Sequence, residues 1–117
     1  MRRIEKPWGW EDILIDTELY VVKRIYVAPG QRLSRQYHNE KDETVFVEDG
    51  CLHLDLSRND DEDNILVLGE NHSYRIKPGT IHRFTAPNTN GVTLLEASTP
   101  HLNDVVRLSD DYGRADA

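Results

Sequence analysis

One cysteine, Cys51, is all the thiol that this 117-residue chain holds, so no disulfide can close within it. No apolar run approaches the roughly 20 residues needed to cross a bilayer. The opening Met1-Arg2-Arg3-Ile4-Glu5-Lys6-Pro7 also lacks the apolar segment that directs secretion. A cytoplasmic protein that stays out of membranes is the expectation. Positive charge is scarce as well: 14 Lys and Arg stand against 21 Asp and Glu, for a formal charge of -7. That balance argues against the phosphate-backbone attraction behind nucleic-acid binding. A small anionic ligand stays compatible, because local arginines matter more to it than the total. Sustained helical periodicity is absent except for a weak stretch near the end. What is present is a globular composition, 38% apolar and 30% charged, at a length suited to one domain over 1–117.

The pattern along the chain is that of short strands. Arg2 to Glu5 reads as an extended lead-in, Lys6-Pro7-Trp8-Gly9-Trp10 as a turn-prone segment with two large rings, and Glu11 to Ile15 as a strand. Tyr20 to Ala28 is β-branched or aromatic and ends at Pro29-Gly30; Val21, Lys23, Ile25 and Val27 share one of its faces. Thr44 to Glu48 and Leu52 to Leu56 read as a hairpin about Asp49-Gly50, the strongest short hairpin signal. Ile65 to Leu68, Ser73 to Ile76, Ile81 to Ala86 and Val92 to Ser98 follow, parted by Gly, Pro and Asn turns. Near-regular spacing of this kind predicts a closed all-β sandwich or barrel. Asp60-Asp61-Glu62-Asp63 lacks the alternate ligands and central glycine of a calcium loop and reads as a solvated turn.

The stretch from Gly30 to Gly50 organises the rest. Arg32 to His38 reads as a strand on which Gln36 and His38, two apart, leave one face together with Arg32 and Ser34. Glu43 heads the apolar run Thr44 to Val47, read as the returning strand of a hairpin, and Pro78-Gly79-Thr80-Ile81-His82 sets a histidine just past a tight turn. An amide oxygen, two imidazoles and a carboxylate form a mixed N/O set that suits a borderline divalent ion. Polar groups lined up on an inward face fit a cavity holding solvent or ligand; a wet edge strand is the alternative.

Here the chain resembles the cupins, small jelly-roll β-barrels with a central metal. Gly30, Gln36, His38, Glu43 and Gly50 keep every interval of their first motif, G-x5-H-x-H-x3,4-E-x6-G, with Gln36 at the first histidine. Gly79-Thr80-Ile81-His82 keeps the Gly-x-x-His part of the second. Lys6-Pro7-Trp8-Gly9-Trp10, Val22-Lys23-Arg24-Ile25, Arg32-Leu33-Ser34, Gln36-Tyr37-His38 and the ending Asp104 to Arg114 look like the cupin domain of type II mannose-6-phosphate isomerases. In many relatives that domain follows a mannose-1-phosphate guanylyltransferase, for which this chain has no room, so that activity is expected to be absent. The family's Gln-Met-His-His-His-Arg-Ala-Glu becomes Gln36-Tyr37-His38-Asn39-Glu40-Lys41-Asp42-Glu43, which keeps the ligand positions and puts lysine where an arginine stood.

The resemblance implies interconversion of mannose 6-phosphate and fructose 6-phosphate through a cis-enediol(ate), with Gln36, His38, Glu43 and His82 holding one divalent ion. Zinc is the first expectation, with manganese, iron, cobalt or nickel as exchangeable possibilities. Glu96 is the candidate proton-transfer base, with Lys23 and Arg107 as further catalytic candidates. Arg32, Ser34, Lys41 and Arg107 are the candidate contacts to the sugar phosphate. Alternatives are an iron dioxygenase using the same ligand cage, or a sugar-binding or structural cupin without catalysis. A homodimer joined through an outer sheet face carrying Trp8, Trp10, Tyr20, Val22 and Tyr26 is the expected assembly.

Overall fold

The computed structural model describes residues 1–115; Asp116 and Ala117, the end of the expected 1–117 domain, lie outside them. Eleven strands and no helix make up these residues: β1 Arg2–Lys6, β2 Gly9–Asp16, β3 Val21–Val27, β4 Arg35–Tyr37, β5 Glu43–Asp49, β6 Leu52–Asp55, β7 Ile65–Leu68, β8 Ser73–Ile76, β9 Arg83–Thr85, β10 Val92–Ser98 and β11 Val106–Ser109. They form a six-stranded sheet β1-β2-β3-β10-β5-β8, a three-stranded sheet β7-β6-β9 and a two-stranded sheet β11-β4. Single bridges Arg32↔Thr85 and Gln36↔His82 tie the two smaller sheets to one another. The ladders therefore stop short of the closed barrel that the strand spacing predicts, and the architecture is all-β in two layers.

Alternation along the inner strands divides the interior into two zones. On β3, β5 and β10 the inward residues toward one end are Ile25, Val27, Val45, Val47, Val92 and Leu94, and they meet Leu52, Leu54, Leu68 and Phe84 from the other layer. That end is a dry apolar plug whose burial supplies the main drive to fold. Toward the other end the same faces carry Lys23, Glu43 and Glu96, all buried. Glu96 lies in register between Lys23 on β3 and Val45 on β5. Ionic groups are set in this half of the interior because the pleat, once registered by the apolar half, leaves them no outward option.

Two expected hairpins are not formed. β5 has both edges taken, by β10 and β8, whereas β6 pairs with β7 and β9. The Asp49-Gly50 turn is thus a corner between layers, and Gly50, with φ +87°, passes so close to Gly91 that a Cβ would lie 2.6 Å from its carbonyl oxygen. Likewise β4 pairs with β11 rather than with β5. Gln36 and His38 consequently face Glu43 across the interior instead of lying beside it in one sheet. Trp8, assigned from the sequence to an outer contact with a second copy, is 3% exposed and part of the core. Trp10 stacks on Tyr26 with ring centroids 5.6 Å apart.

Gly9, at the β1–β2 turn, is the tightest backbone approach in the fold. Its φ is +154°, and a Cβ there would sit 2.0 Å from the carbonyl oxygen of Tyr26 on β3. Because the obstacle is backbone inside a ladder, Gly9→Ala is expected to cost about 2–4 kcal/mol. Urea unfolding should show this as a lower midpoint at unchanged slope; an unmoved midpoint would contradict the geometry.

Candidate metal centre and its cavity

His38 follows β4 directly, Glu43 opens β5, and His82 precedes β9 just beyond a turn that its sequence dictates. In that turn Thr80 N–H donates to the Lys77 carbonyl at 3.1 Å, Pro78 takes the first central position and Gly79, at φ +82°, the second. Gly79 N–H also donates to the His38 carbonyl at 2.7 Å, and Gln36 and His82 exchange both backbone hydrogen bonds, at 2.9 and 3.0 Å. The two histidine segments are thereby held side by side.

Donor atoms of His38, Glu43 and His82 all lie within 4.8 Å of one another, and all three residues are buried. His38 Nε2 is 3.5 Å from Glu43 Oε2, and His82 Nε2 is 3.4 Å from Glu43 Oε1. The opposite ring nitrogens are committed: His82 Nδ1 donates to the Thr80 carbonyl at 2.8 Å, and His38 Nδ1 donates to the Asp104 carbonyl at 2.5 Å. Each neutral ring must then carry its lone pair on Nε2, aimed at the common point. Burial lowers the pKa of His38, which favours the neutral ring. His82 Nε2 is buried and, among the described residues, has no hydrogen-bond partner. Two converging imidazole lone pairs beside a carboxylate fit a divalent cation.

Gln36 reaches the same point with the other end of its amide. Its Oε1 accepts from the Ser34 hydroxyl at 2.6 Å, and its Nε2 lies 3.5 Å from His38 Nε2. A half-turn of the amide would exchange the two atoms while Ser34 changes from donor to acceptor, so only after that rotation does Gln36 offer an oxygen ligand.

Behind the trio sits a buried ion cluster. Lys41 Nζ is 2.9 Å from Glu43 Oε2 and 2.6 Å from Glu96 Oε1. Burial works against the Lys41 ammonium, but the charges of Glu96 and Glu43 overcome it and raise its pKa. Burial likewise opposes ionisation of Glu43, yet its close contacts with His82 and Glu96 and the charge of Lys41 hold it well below the usual carboxylate range. Glu96 is raised to about 7, first by burial and then by the charge of Glu43. Lys23 Nζ, 10% exposed, stands 3.4 Å from Glu11 Oε1.

These groups line one cavity of about 110 Å³, together with Ser34, Gln36 and the apolar Trp8, Ile25, Leu33, Phe84, Leu102 and Val105. Its basic residues are Lys6, Lys23, Lys41, Arg107 and Arg114, against three carboxylates, in a chain whose formal charge is -7. The cavity is therefore the place where an anion would be drawn. Arg107 on β11 lies opposite Gln36 on β4 and lines it.

Of the residues assigned from the sequence, the structure brings Ser34, Gln36, His38, Lys41, Glu43, Glu96, Lys23 and Arg107 to the cavity wall and packs His82 against Glu43. Arg32 is not among them. Its guanidinium makes two bonds to Asp111, at 2.7 and 2.8 Å, away from the cavity. The predicted strand from Arg32 to His38 is regular only over β4, and Leu33 and Ser34, neighbours in sequence, both line the cavity. That break in alternation turns Arg32 outward. Lys6, Glu11, Arg114 and Asp104 were not assigned to the site. Arg114 lies within the ending that carried the family resemblance, which is the one sequence signal that pointed to it.

Comparison with known proteins places the chain in a family. Residues 1–110 match the family described as mannose-6-phosphate isomerase C-terminal. The chain is 34% identical over 116 residues to the xanthan biosynthesis protein XanB of Xanthomonas campestris pv. campestris, covering 97% of this chain and 24% of that protein. It is 36% identical over 116 residues to the mannose-1-phosphate guanylyltransferase of Escherichia coli, covering 97% and 23%. The chain thus spans about a quarter of the length of these relatives. In fold it matches an RmlC-like cupin from Shewanella frigidimarina with TM-score 0.71 at 18% identity, covering 85% of this chain and 83% of that one. No helix among the described residues is long and apolar enough to cross a membrane. The match over nearly the whole length, the cupin fold and the two-histidine, one-carboxylate centre agree: the chain belongs to the mannose-6-phosphate isomerase C-terminal family.

Proposed function

We propose that this protein is a metal-dependent aldose–ketose isomerase acting on a hexose 6-phosphate, mannose 6-phosphate first. The observation that carries the reading is the meeting of two imidazole lone pairs and Glu43 at one point, with a second carboxyl, Glu96, raised to about 7 alongside. His38, Glu43 and His82 would hold the ion, joined by Gln36 once its amide is turned. Zinc is the first choice, with manganese, iron, cobalt or nickel able to replace it. Such an ion would supply Lewis-acid polarisation of the sugar carbonyl.

The remaining work falls to side chains of the cavity. Isomerisation needs one proton taken from the carbon beside the carbonyl and returned to its neighbour, and a carboxyl poised near neutral pH suits both directions. Glu96 is that group, and Lys41, 2.6 Å from its Oε1, holds it in place and stabilises its anion. Ser34 and the Gln36 amide offer hydrogen bonds to sugar hydroxyls. Arg107, Lys6 and Arg114 give the cavity its excess of positive charge and are the groups for the phosphate. The relatives named for mannose-1-phosphate guanylylation and xanthan biosynthesis support mannose phosphate as the first sugar to test.

The test is a coupled isomerase assay on mannose 6-phosphate with protein stripped by chelator and reloaded with each of the five ions. Turnover is expected only in loaded protein and should fall at least about a hundredfold in His82→Ala and in Glu96→Gln. Turnover that survives both chelation and His82→Ala would exclude the mechanism.

A further inference from the structure

His38 is the one member of the trio whose orientation depends on a distant loop. Its Nδ1–H ends on the main-chain carbonyl of Asp104, in the segment between β10 and β11, 66 residues away in the chain. The Asp104 carboxylate in turn accepts three successive backbone N–H groups: Asn39 at 3.0 Å on Oδ1, and Glu40 and Lys41 at 2.7 and 2.9 Å on Oδ2. Those three residues follow His38 directly, and the last of them carries the ammonium placed between Glu43 and Glu96. One residue therefore grips both sides of the site, His38 through its carbonyl and Lys41 through its carboxylate. The three N–H bonds pull its pKa to about 2, so the acceptor is an anion throughout the neutral range. Leu102 and Val105, on either side of it, line the cavity, so the same anchoring fixes part of the cavity wall.

We propose that Asp104 is a positioning residue, which aims His38 Nε2 and Lys41 Nζ into the site by clamping the 39–41 turn. This rests on the metal reading only for its effect on ion binding; the clamp itself is a property of the metal-free chain. Among the described residues no other side chain bonds these three N–H groups, so its loss would release the turn, and with it the carbonyl that fixes the His38 tautomer.

Asp104→Ala and Asp104→Asn test this without metal and with it. In metal-free protein, the amides of Asn39, Glu40 and Lys41 should exchange with solvent at least about tenfold faster in Asp104→Ala, while those of β3 keep the parent's rates. The ¹⁵N signals of the His38 ring should move from the pure Nδ1–H form toward a mixture of tautomers. Asparagine keeps one acceptor oxygen and should fall between alanine and the parent. Titration with cobalt(II) should then give a dissociation constant about 10–100-fold weaker in Asp104→Ala. Exchange and ring signals like the parent's would overturn the proposal, as would unchanged cobalt affinity in a parent that binds the ion. A uniform loss of stability with the ring signals unmoved would also overturn it, since that is what a merely structural residue would give. A parent that takes up no cobalt would count against the metal reading alone, the exchange and ring signals still deciding for or against Asp104.

Discussion

Glu43→Gln is expected to weaken zinc or cobalt binding on the order of a thousandfold while costing the metal-free fold no more than about 1–3 kcal/mol. Glutamine keeps the shape of the side chain and removes its charge, and the charge is what a dication between two neutral imidazoles requires. The carboxylate is buried, 2% exposed, so its attraction for the ion is poorly screened by water. Breaking a buried ion contact from one side costs about 3–5 kcal/mol, and each 1.4 kcal/mol is tenfold in affinity. The fold suffers less because Lys41 keeps a second carboxylate, Glu96, at 2.6 Å, and so is not left as an isolated buried cation. Titration calorimetry beside urea unfolding in chelator separates the two effects. An affinity within tenfold of the parent's would show that Glu43 is no ligand and that its buried place serves Lys41 alone.

How far the site could be read in advance depended on distance along the chain. Gln36, His38, Glu43 and His82 were found because residue type and interval repeat together, and the Pro78-Gly79 turn that places His82 is local chemistry. Lys23 was found by strand parity, which places a residue on a face once the apolar positions beside it are known, whereas Glu96 came from the family resemblance. Parity failed at Arg32, where the strand had not yet become regular. Asp49-Gly50 marks a reversal of the chain correctly, but the dipeptide does not tell whether the next strand pairs with the last or crosses to the other layer. That choice was made far away, by β10 and β8 taking both edges of β5. Closure of the barrel was overestimated for a related reason: strand spacing counts strands and says nothing of which edges finally meet. Asp104 heads the ending that carries the family resemblance, but nothing local gives its role, which arises only when a loop more than sixty residues on lies against the turn after His38. The amide orientation of Gln36 is set by the Ser34 hydroxyl and is likewise invisible until the side chains are placed.

Lys41→Met should act in the opposite sense to Glu43→Gln. Methionine fills much the same space without the charge, so two buried carboxyl groups, Glu43 and Glu96, would face one another with no cation between them. The metal-free protein is expected to lose about 3–5 kcal/mol, since a buried charge left without its partner is among the costlier single changes. In a domain of this size that lowers the melting temperature by roughly 10–20 °C. The same vacancy favours a dication: Lys41 lies 2.9 Å from the ligand oxygen Glu43 Oε2, so in the parent an incoming ion meets a positive charge nearby. Zinc should therefore bind at least about tenfold tighter to Lys41→Met, and saturating zinc should restore most of the lost melting temperature. Lys41→Arg, which keeps the charge, should show neither the loss nor the gain. Thermal melts of the three proteins in chelator and in excess zinc read both quantities at once. Weaker zinc binding in Lys41→Met would mean that the ammonium organises Glu43 for the ion more than it repels it. The lysine standing where the family has arginine would then be a support of the metal centre rather than a brake on it.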